Sequence, residues 1–246
     1  MSQDLPIAGW YGKLPSLSDF ASRRLDSGFI DAWDGWLRTS LMASREKLGQ
    51  AWLDRYLTAR VWRFLLAPGV CGQPAYAGVM MPSVDAVGRY YPLTLCAAIS
   101  APWAARFARA ESQCWFDQIE TIALAALSRN LSPEQLDEAL ARVPMPRARP
   151  EDAQLDAAAL QLAEAWRMQG GQPSHVTLTG GRALADLFNS LGRHTFARLS
   201  DGKSIWWTGS RDFEPISLVR FDGMPPPYAY AQFLAAGNGE VSTARA

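Results

Sequence analysis

Histidine is nearly missing from this chain of 246 residues, which has 2, His175 and His194. Neither sits in an HxxxH or HExxH pattern, so a zinc hydrolase has no ligand set. Cysteine is almost as scarce, with 3 (Cys71, Cys96 and Cys114) and no CxxC pair. An odd count of scattered thiols excludes a disulfide framework and a thiolate metal cage, and fits a reducing compartment. Cys96 and Cys114 fall in an apolar strand and an apolar helix, where a free cysteine acts as a small buried hydrophobe. Charge of either sign is not in excess: 24 Lys and Arg balance 24 Asp and Glu. Without a basic surplus or stripe, no nucleic-acid partner is expected. No uninterrupted apolar run reaches the roughly 18 residues of a membrane span. The first residues, MSQDLPIAGWYG, carry no basic-then-apolar leader. These absences predict a cytoplasmic protein without direct membrane insertion, cofactor or metal. They leave the oligomeric state open.

What is present is an ordinary globular composition, 48% hydrophobic and 20% charged. The chain is organised around residues 61–98, where three apolar runs (61–66, 75–81 and 91–98) are separated by turn-rich loops. Each run is rich in β-branched and aromatic residues, and Pro, Gly, Ser or Asp bound it. The connections are too short for parallel crossovers, so the runs should pair antiparallel as a central meander. They are nearly continuous rather than alternating, which predicts a sheet covered on both faces. Before them, residues 7–13 read as a short strand, 14–28 as a polar connection, 29–48 as a helix and 51–59 as a second helix. Phe29, Ile30, Trp33, Trp36, Leu37 and Leu41 share one helical face. Asp31 and Asp34 near the start would favour the helix dipole. In the second helix Trp52, Leu53, Tyr56 and Leu57 fall together.

After the meander, residues 103–127 have helical spacing, with Trp103, Phe107, Cys114, Ile119 and Ala126 toward the core. Ser132-Pro133-Glu134-Gln135 is a capping box opening a helix to about residue 143. Residues 144–154, with prolines and alternating charges, form the one linker candidate. The organisation is therefore 1–143 as an α/β core, 144–154 as linker, and 155–246 as helices and strands packed on that core. Within the last part we expect helices at 155–168 and 184–191, strands at 176–179, 195–199, 204–208 and 216–221, and a closing helix through Leu234. Asp201-Gly202 reads as a hairpin turn between 195–199 and 204–208. The fold class is α/β: a mixed, largely antiparallel sheet flanked by helices.

Candidate sites are few. Gly12-Lys13 follows a strand, but a phosphate loop would need Gly where Ile7 stands and Ser or Thr where Leu14 stands. Gly12 then permits a turn, and Lys13 is solvated or paired with an acid such as Asp19. Asp85 and Arg89, four apart in one loop beside Tyr90, are either polar determinants of a partner-binding surface or a local pair that closes the loop. Gly180-Gly181-Arg182, a loop entering a helix, is either a generic anion-site geometry or a plain αL turn. Of the 10 tryptophans, Trp33, Trp36, Trp52, Trp62, Trp103 and Trp115 lie on apolar faces. Trp206 and Trp207 are strand neighbours and must point to opposite faces, so one is a candidate interface anchor. No catalytic residue is assigned. The alternative is a hydrolase using His175 or His194 with a Ser or Cys nucleophile, although no GxSxG elbow exists.

Five stretches carry a family resemblance: YGKLPSLSDF (11–20), FIDAWDGWL (29–37), AWLDRYLTARVWRFLLAPGVCG (51–72), AGVMMPSVDAVGRYYPL (77–93) and, more weakly, SIWWTG (204–209). The chain resembles the TagF (ImpM) family of accessory proteins of bacterial type VI secretion. About the first 100 residues match nearly continuously, whereas 109–203 carry no shared motif. The resemblance implies a sheet between helices, like the three-layer sandwich of longin-type adaptor modules. It implies a cytosolic post-translational regulator of Gram-negative bacteria, a repressor of assembly. Its implied partner is the forkhead-associated scaffold protein of the apparatus, bound without chemistry. Some relatives carry a fused phosphatase domain, for which this chain has neither the length nor the acidic motifs.

Overall fold

A computed structural model describes residues 7–99, 110–145, 159, 160, 163, 164, 183–209 and 216–235. The runs of the meander form β3 (Trp62–Leu66), β4 (Ala75–Met81) and β5 (Leu93–Ile99), adjacent and antiparallel at the centre of a seven-stranded sheet. The order is β2-β1-β5-β4-β3-β6-β7, with β1 at Gly9–Gly12, β2 at Ala21–Arg23, β6 at Lys203–Thr208 and β7 at Leu218–Asp222. All six neighbouring pairs run antiparallel. β5 begins after Pro92 rather than at Tyr91, since proline has no N–H to give the ladder. Leu66, Val79 and Leu95 are completely buried.

The continuous apolar runs conceal a period of two. In β4, Ala75, Ala77, Val79 and Met81 face one helical layer, while Tyr76 and Met80 face the other. The first layer holds α3 (Ala110–Ser128) and α4 (Pro133–Ala141), which contribute Trp115, Phe116, Ile119, Leu136 and Leu140. The second holds α1 (Ser27–Leu48), α2 (Trp52–Thr58) and α6 (Tyr230–Ala235). The fold is thus an open three-layer sandwich. At Gly78 an added Cβ would lie 2.2 Å from the Leu95 carbonyl oxygen, so only glycine lets β4 and β5 approach this closely.

The aromatic layer explains much of the tryptophan content. Indole N–H groups stitch elements together: Trp33 to Thr94 Oγ1 at 2.9 Å, Trp36 to the Pro225 carbonyl at 2.7 Å, Trp52 to Ser44 Oγ at 2.9 Å and Trp62 to the Phe233 carbonyl at 3.0 Å. Each buries a large ring while keeping its one polar atom bonded. The C-terminal part extends this same sheet, β6 lying against β3 and α6 against the aromatic core.

Several expectations need correction. Helix α1 starts at Ser27, capped by Asp26, whose side chain accepts from the Phe29 N–H at 2.8 Å. No acid lies in its first turn, so Asp31 and Asp34 do not serve the dipole. Within 14–28, read as a connection, lies the short strand β2. Residues 195–199 are not a strand: they are the last turns of α5 (Ala183–Leu199). Asp201-Gly202 accordingly turns a helix into β6, with Gly202 at φ 64°. In α2 only Trp52 and Tyr56 are buried, and Leu53 and Leu57 are exposed. Cys114 is exposed too, off the stripe formed by Trp115, Ile119, Ala123 and Ala126. The capping box at Ser132 forms as expected. Trp103, Phe107, His175, the turn at 180–182, the strand at 176–179 and most of 144–168 lie outside the described residues.

A candidate protein-interaction site at one end of the sheet

Asp85 is the hub of the loop between β4 and β5. Its Oδ1 accepts from the backbone N–H groups of Val87 at 3.1 Å and Arg89 at 2.8 Å. Its Oδ2 accepts from Lys13 Nζ and Arg89 Nε, each at 2.7 Å. The carboxylate has no solvent exposure. Enclosure alone would raise its pKa, but the hydrogen bonds from Lys13 and Arg89 and from the backbone hold it well below the usual carboxylate range. The pair four residues apart therefore forms without a helix. A turn closes instead, the Gly88 N–H donating to the Asp85 carbonyl at 3.0 Å, with Gly88 at φ 83°.

The same contacts fuse this loop to the one following β1. Lys13 is buried against Asp85 rather than solvated or paired with Asp19. Asp19 accepts from the adjacent Phe20 N–H at 2.8 Å. Arg89 Nη2 donates to the Ser18 carbonyl. The Ala86 N–H donates to the Leu17 carbonyl at 2.8 Å, and Ser83 Oγ to the Lys13 carbonyl at 2.6 Å. Ser16 Oγ ties the assembly to the Leu131 carbonyl at 2.7 Å. Beneath it, the Tyr11 and Tyr91 hydroxyls both donate to Asp34 Oδ1 at 2.6 Å. Burial, with the Asp34 carboxylate second, raises both phenol pKa values, so these hydroxyls keep their protons. Phe20 packs edge-on against Tyr91 at 4.7 Å and under Lys13 Nζ at 4.8 Å. Tyr90 packs edge-on against Tyr56 at 5.7 Å. With Asp85 enclosed, the loops display Val87, 64% exposed, the Arg89 side chain, 55% exposed, and the edge of Phe20.

Beside the fused loops lies a cleft of ≈720 Å³ whose walls include Leu57, Met81, Pro82, Val84, Leu124 and Leu127. Along its wall Arg60 donates to the Gly209 carbonyl at 2.7 Å, and Glu120 is paired with Arg63 at 2.8 Å. This cleft accounts for Leu57, an apolar side chain left uncovered on α2. Among the described residues its lining carries no histidine. Ser83, which does line it, has its hydroxyl committed to the Lys13 carbonyl. Among the described residues no group of three or more His, Cys, Asp or Glu could hold a metal ion. No described helix is long and apolar enough to cross a membrane.

The other sequence candidates lie elsewhere. Trp206 is completely buried among Trp33, Trp36, Phe64 and Phe233. Trp207 points to the opposite face, partly covered and edge-on to Phe116 at 4.9 Å. Strands β3, β4 and β5 separate both from β1. His194 lies on α5 and is not among the residues lining the cleft. Reasoning from sequence missed Asp34, Phe20, Val87 and Leu57. Tyr11 and Phe20, which bracket the motif at 11–20, were the available signal for the first two.

Residues 9–143, which contain both loops and the α1, α2 and β4 contributions to this end, match the TagF N-terminal domain, described as type VI secretion system-associated. The chain belongs to the TagF family. A crystal structure of PA0076 from Pseudomonas aeruginosa PAO1 superimposes with a TM-score of 0.70 at 33% sequence identity, covering 95% of this chain and 96% of that one. A comparison with curated proteins finds no match. This TagF-family chain is therefore a type VI secretion system-associated protein with the fold of PA0076. Covering 95% of this chain, the structural similarity extends well past residue 143.

Proposed function

We propose that this protein is a non-enzymatic, cytoplasmic, post-translational regulator of the type VI secretion system that represses assembly. It acts by binding the forkhead-associated scaffold protein of the apparatus, and the fused loops with their cleft are the surface it uses. The observation that carries this reading is the role of Asp85. Its carboxylate is wholly committed to Lys13, Arg89 and two backbone N–H groups, which presents Val87, Arg89 and Phe20 on a rigid frame. Rigid presentation lowers the entropic cost of association. An exposed arginine beside an exposed aromatic ring is the residue pairing enriched at protein interfaces. The adjoining cleft, walled by Leu57, Leu124 and Leu127, offers room for an apolar anchor of the partner.

The test is titration of the purified scaffold protein with wild type and with Val87→Asp, Arg89→Ala and Leu57→Asp variants. Loss of affinity of about tenfold or more in folded variants supports the surface. Undiminished affinity in all three overturns it, and no binding by the wild type overturns the partner.

A further inference from the structure

The two edges of the sheet are finished differently. At one edge β2 is only three residues long and is stopped by the next residue, Arg24, a non-glycine residue with φ 57°. Arg23 and Arg24 both reach Asp137 of α4, at 3.8 and 3.0 Å, which ties that edge to a helix through ion pairs. At the other edge β7 pairs only with β6 among the described residues. Its ladder fixes which backbone groups are engaged. The Thr208 N–H donates to the Ser217 carbonyl at 3.0 Å and the Gly223 N–H to the Gly202 carbonyl at 2.8 Å. In an antiparallel pair these groups alternate along the strand. Ser217, Val219, Phe221 and Gly223 therefore turn theirs toward β6, and Leu218, Arg220 and Asp222 turn theirs outward. The three outward residues are also open to solvent: Leu218 is 68% exposed, and the Arg220 and Asp222 side chains 57% and 79%.

An open edge is a template for another strand, and edges are commonly blunted by a charge that has no counterpart on an approaching copy. This edge carries one charge of each sign at alternate positions, which is neutral toward itself. We propose that β7 is a self-pairing edge, and that its partner is β7 of a second copy, antiparallel, with the two-fold axis at Phe221. In that register Arg220 lies opposite Asp222 of the partner subunit, and Asp222 opposite Arg220 of the partner subunit. Both pairs bring together outward-facing backbone groups, so about four ladder hydrogen bonds form. Opposite charges directly across a ladder stabilise it, and like charges destabilise it. Shifting the axis to Arg220 sets arginine against arginine, so charge selects the first register. The interface is short, so the dimer is weak and concentration-dependent.

Sedimentation velocity on the full chain, taken up to about 1 mM protein, reads the association. The wild type should shift from monomer toward dimer. Asp222→Arg and Arg220→Asp should each weaken dimerisation by about tenfold or more, because each sets like charges across the axis. The double swap, R220D with D222R, restores opposite pairing and should restore the dimer. A second readout does not depend on charge: Phe221→Cys in a Cys114→Ser background should form an intermolecular disulfide on mild oxidation, since the axis sets residue 221 against itself. A wild type that stays monomeric throughout overturns the proposal, including the case where a strand of another protein occupies the edge. So does a dimer indifferent to the three charge variants, or a double swap that fails to recover what the single changes lose.

Discussion

Lys13 and Asp85, 72 positions apart in sequence, meet at 2.7 Å with both side chains withdrawn from solvent. One opens the loop after the first strand and the other shapes the loop between β4 and β5, so this contact locks two family motifs together. Removing one member of a buried pair strands the other without water or counter-charge. Asp85→Ala also frees the Val87 and Arg89 N–H groups. Thermal unfolding should show a larger loss of Tm for Asp85→Ala than for Arg89→Ala, whose side chain is half exposed. Equal losses would mean that Lys13 finds another acceptor.

The same carboxylate sets a pH dependence. Its pKa is lowered in the folded protein, so its stabilising contribution is complete above the ordinary carboxylate range. That contribution is lost as the pH falls through the lowered value. Stability measured from pH 7 downward should therefore decline less steeply in Asp85→Asn than in the wild type below about pH 4. The two declines would be parallel if Asp85 were not held in its charged form.

The two aromatic N–H environments make a controlled comparison. Trp62 donates to the Phe233 carbonyl, whereas Trp206 Nε1 is buried with no hydrogen-bond partner among the described residues. Replacing either by Phe removes similar volume, but only Trp62→Phe orphans a buried carbonyl. Urea unfolding should show Trp62→Phe costing about 1–2 kcal/mol more than Trp206→Phe. Leu95→Ala, at a completely buried position of β5, should cost about 2–5 kcal/mol.

How much of this was legible in the sequence depended on local punctuation. Pro68-Gly69, Pro74 and Pro82 bracket the apolar runs, and β3, β4 and β5 emerge within a residue or two of expectation. Strand β2 had no such signal: three residues, Ala-Ser-Arg, owe their conformation to pairing with Trp10, Tyr11 and Gly12. Residues 195–199 carry Thr and Phe before Asp201-Gly202, which imitates a hairpin arm, but the helical stretch from Ala183 simply continues through them. At the candidate site the Asp85–Arg89 spacing was visible. The burial of Asp85 was not, because its enclosing partner Lys13 is remote in sequence. The cleft was invisible for the same reason, being walled by segments from Pro15 to Gly209.

Thiol reactivity offers a direct check on that packing. Cys114 is exposed, while Cys71 and Cys96 are buried. Burial pushes the Cys71 thiol up to about 12 and raises Cys96 as well, so neither supplies thiolate near neutrality. An aromatic disulfide reagent at pH 8 should titrate Cys114 promptly and the other two only on unfolding. Prompt reaction in a Cys114→Ser variant would show that the aromatic layer opens readily.

The strongest test of the interaction surface separates display from scaffolding. Arg89 has both roles, since its Nε and N–H bond Asp85 and its Nη2 bonds Ser18 while the side chain stays half exposed. Val87 contributes its N–H to Asp85 but its side chain contacts mainly solvent. Val87→Asp thus preserves every hydrogen bond of the loop and changes only what a partner would meet. Surface substitutions of this kind move stability by about 0.5 kcal/mol or less. Arg89→Lys keeps the charge but loses the fork that reaches Asp85 and Ser18 together. If the surface binds the scaffold protein, Val87→Asp should reduce affinity by about tenfold or more at unchanged Tm. Arg89→Lys should lower both affinity and Tm slightly. Val87→Asp with wild-type affinity and repression in cells would remove the loop from the interface and leave the Leu57 side of the cleft to be tested by itself.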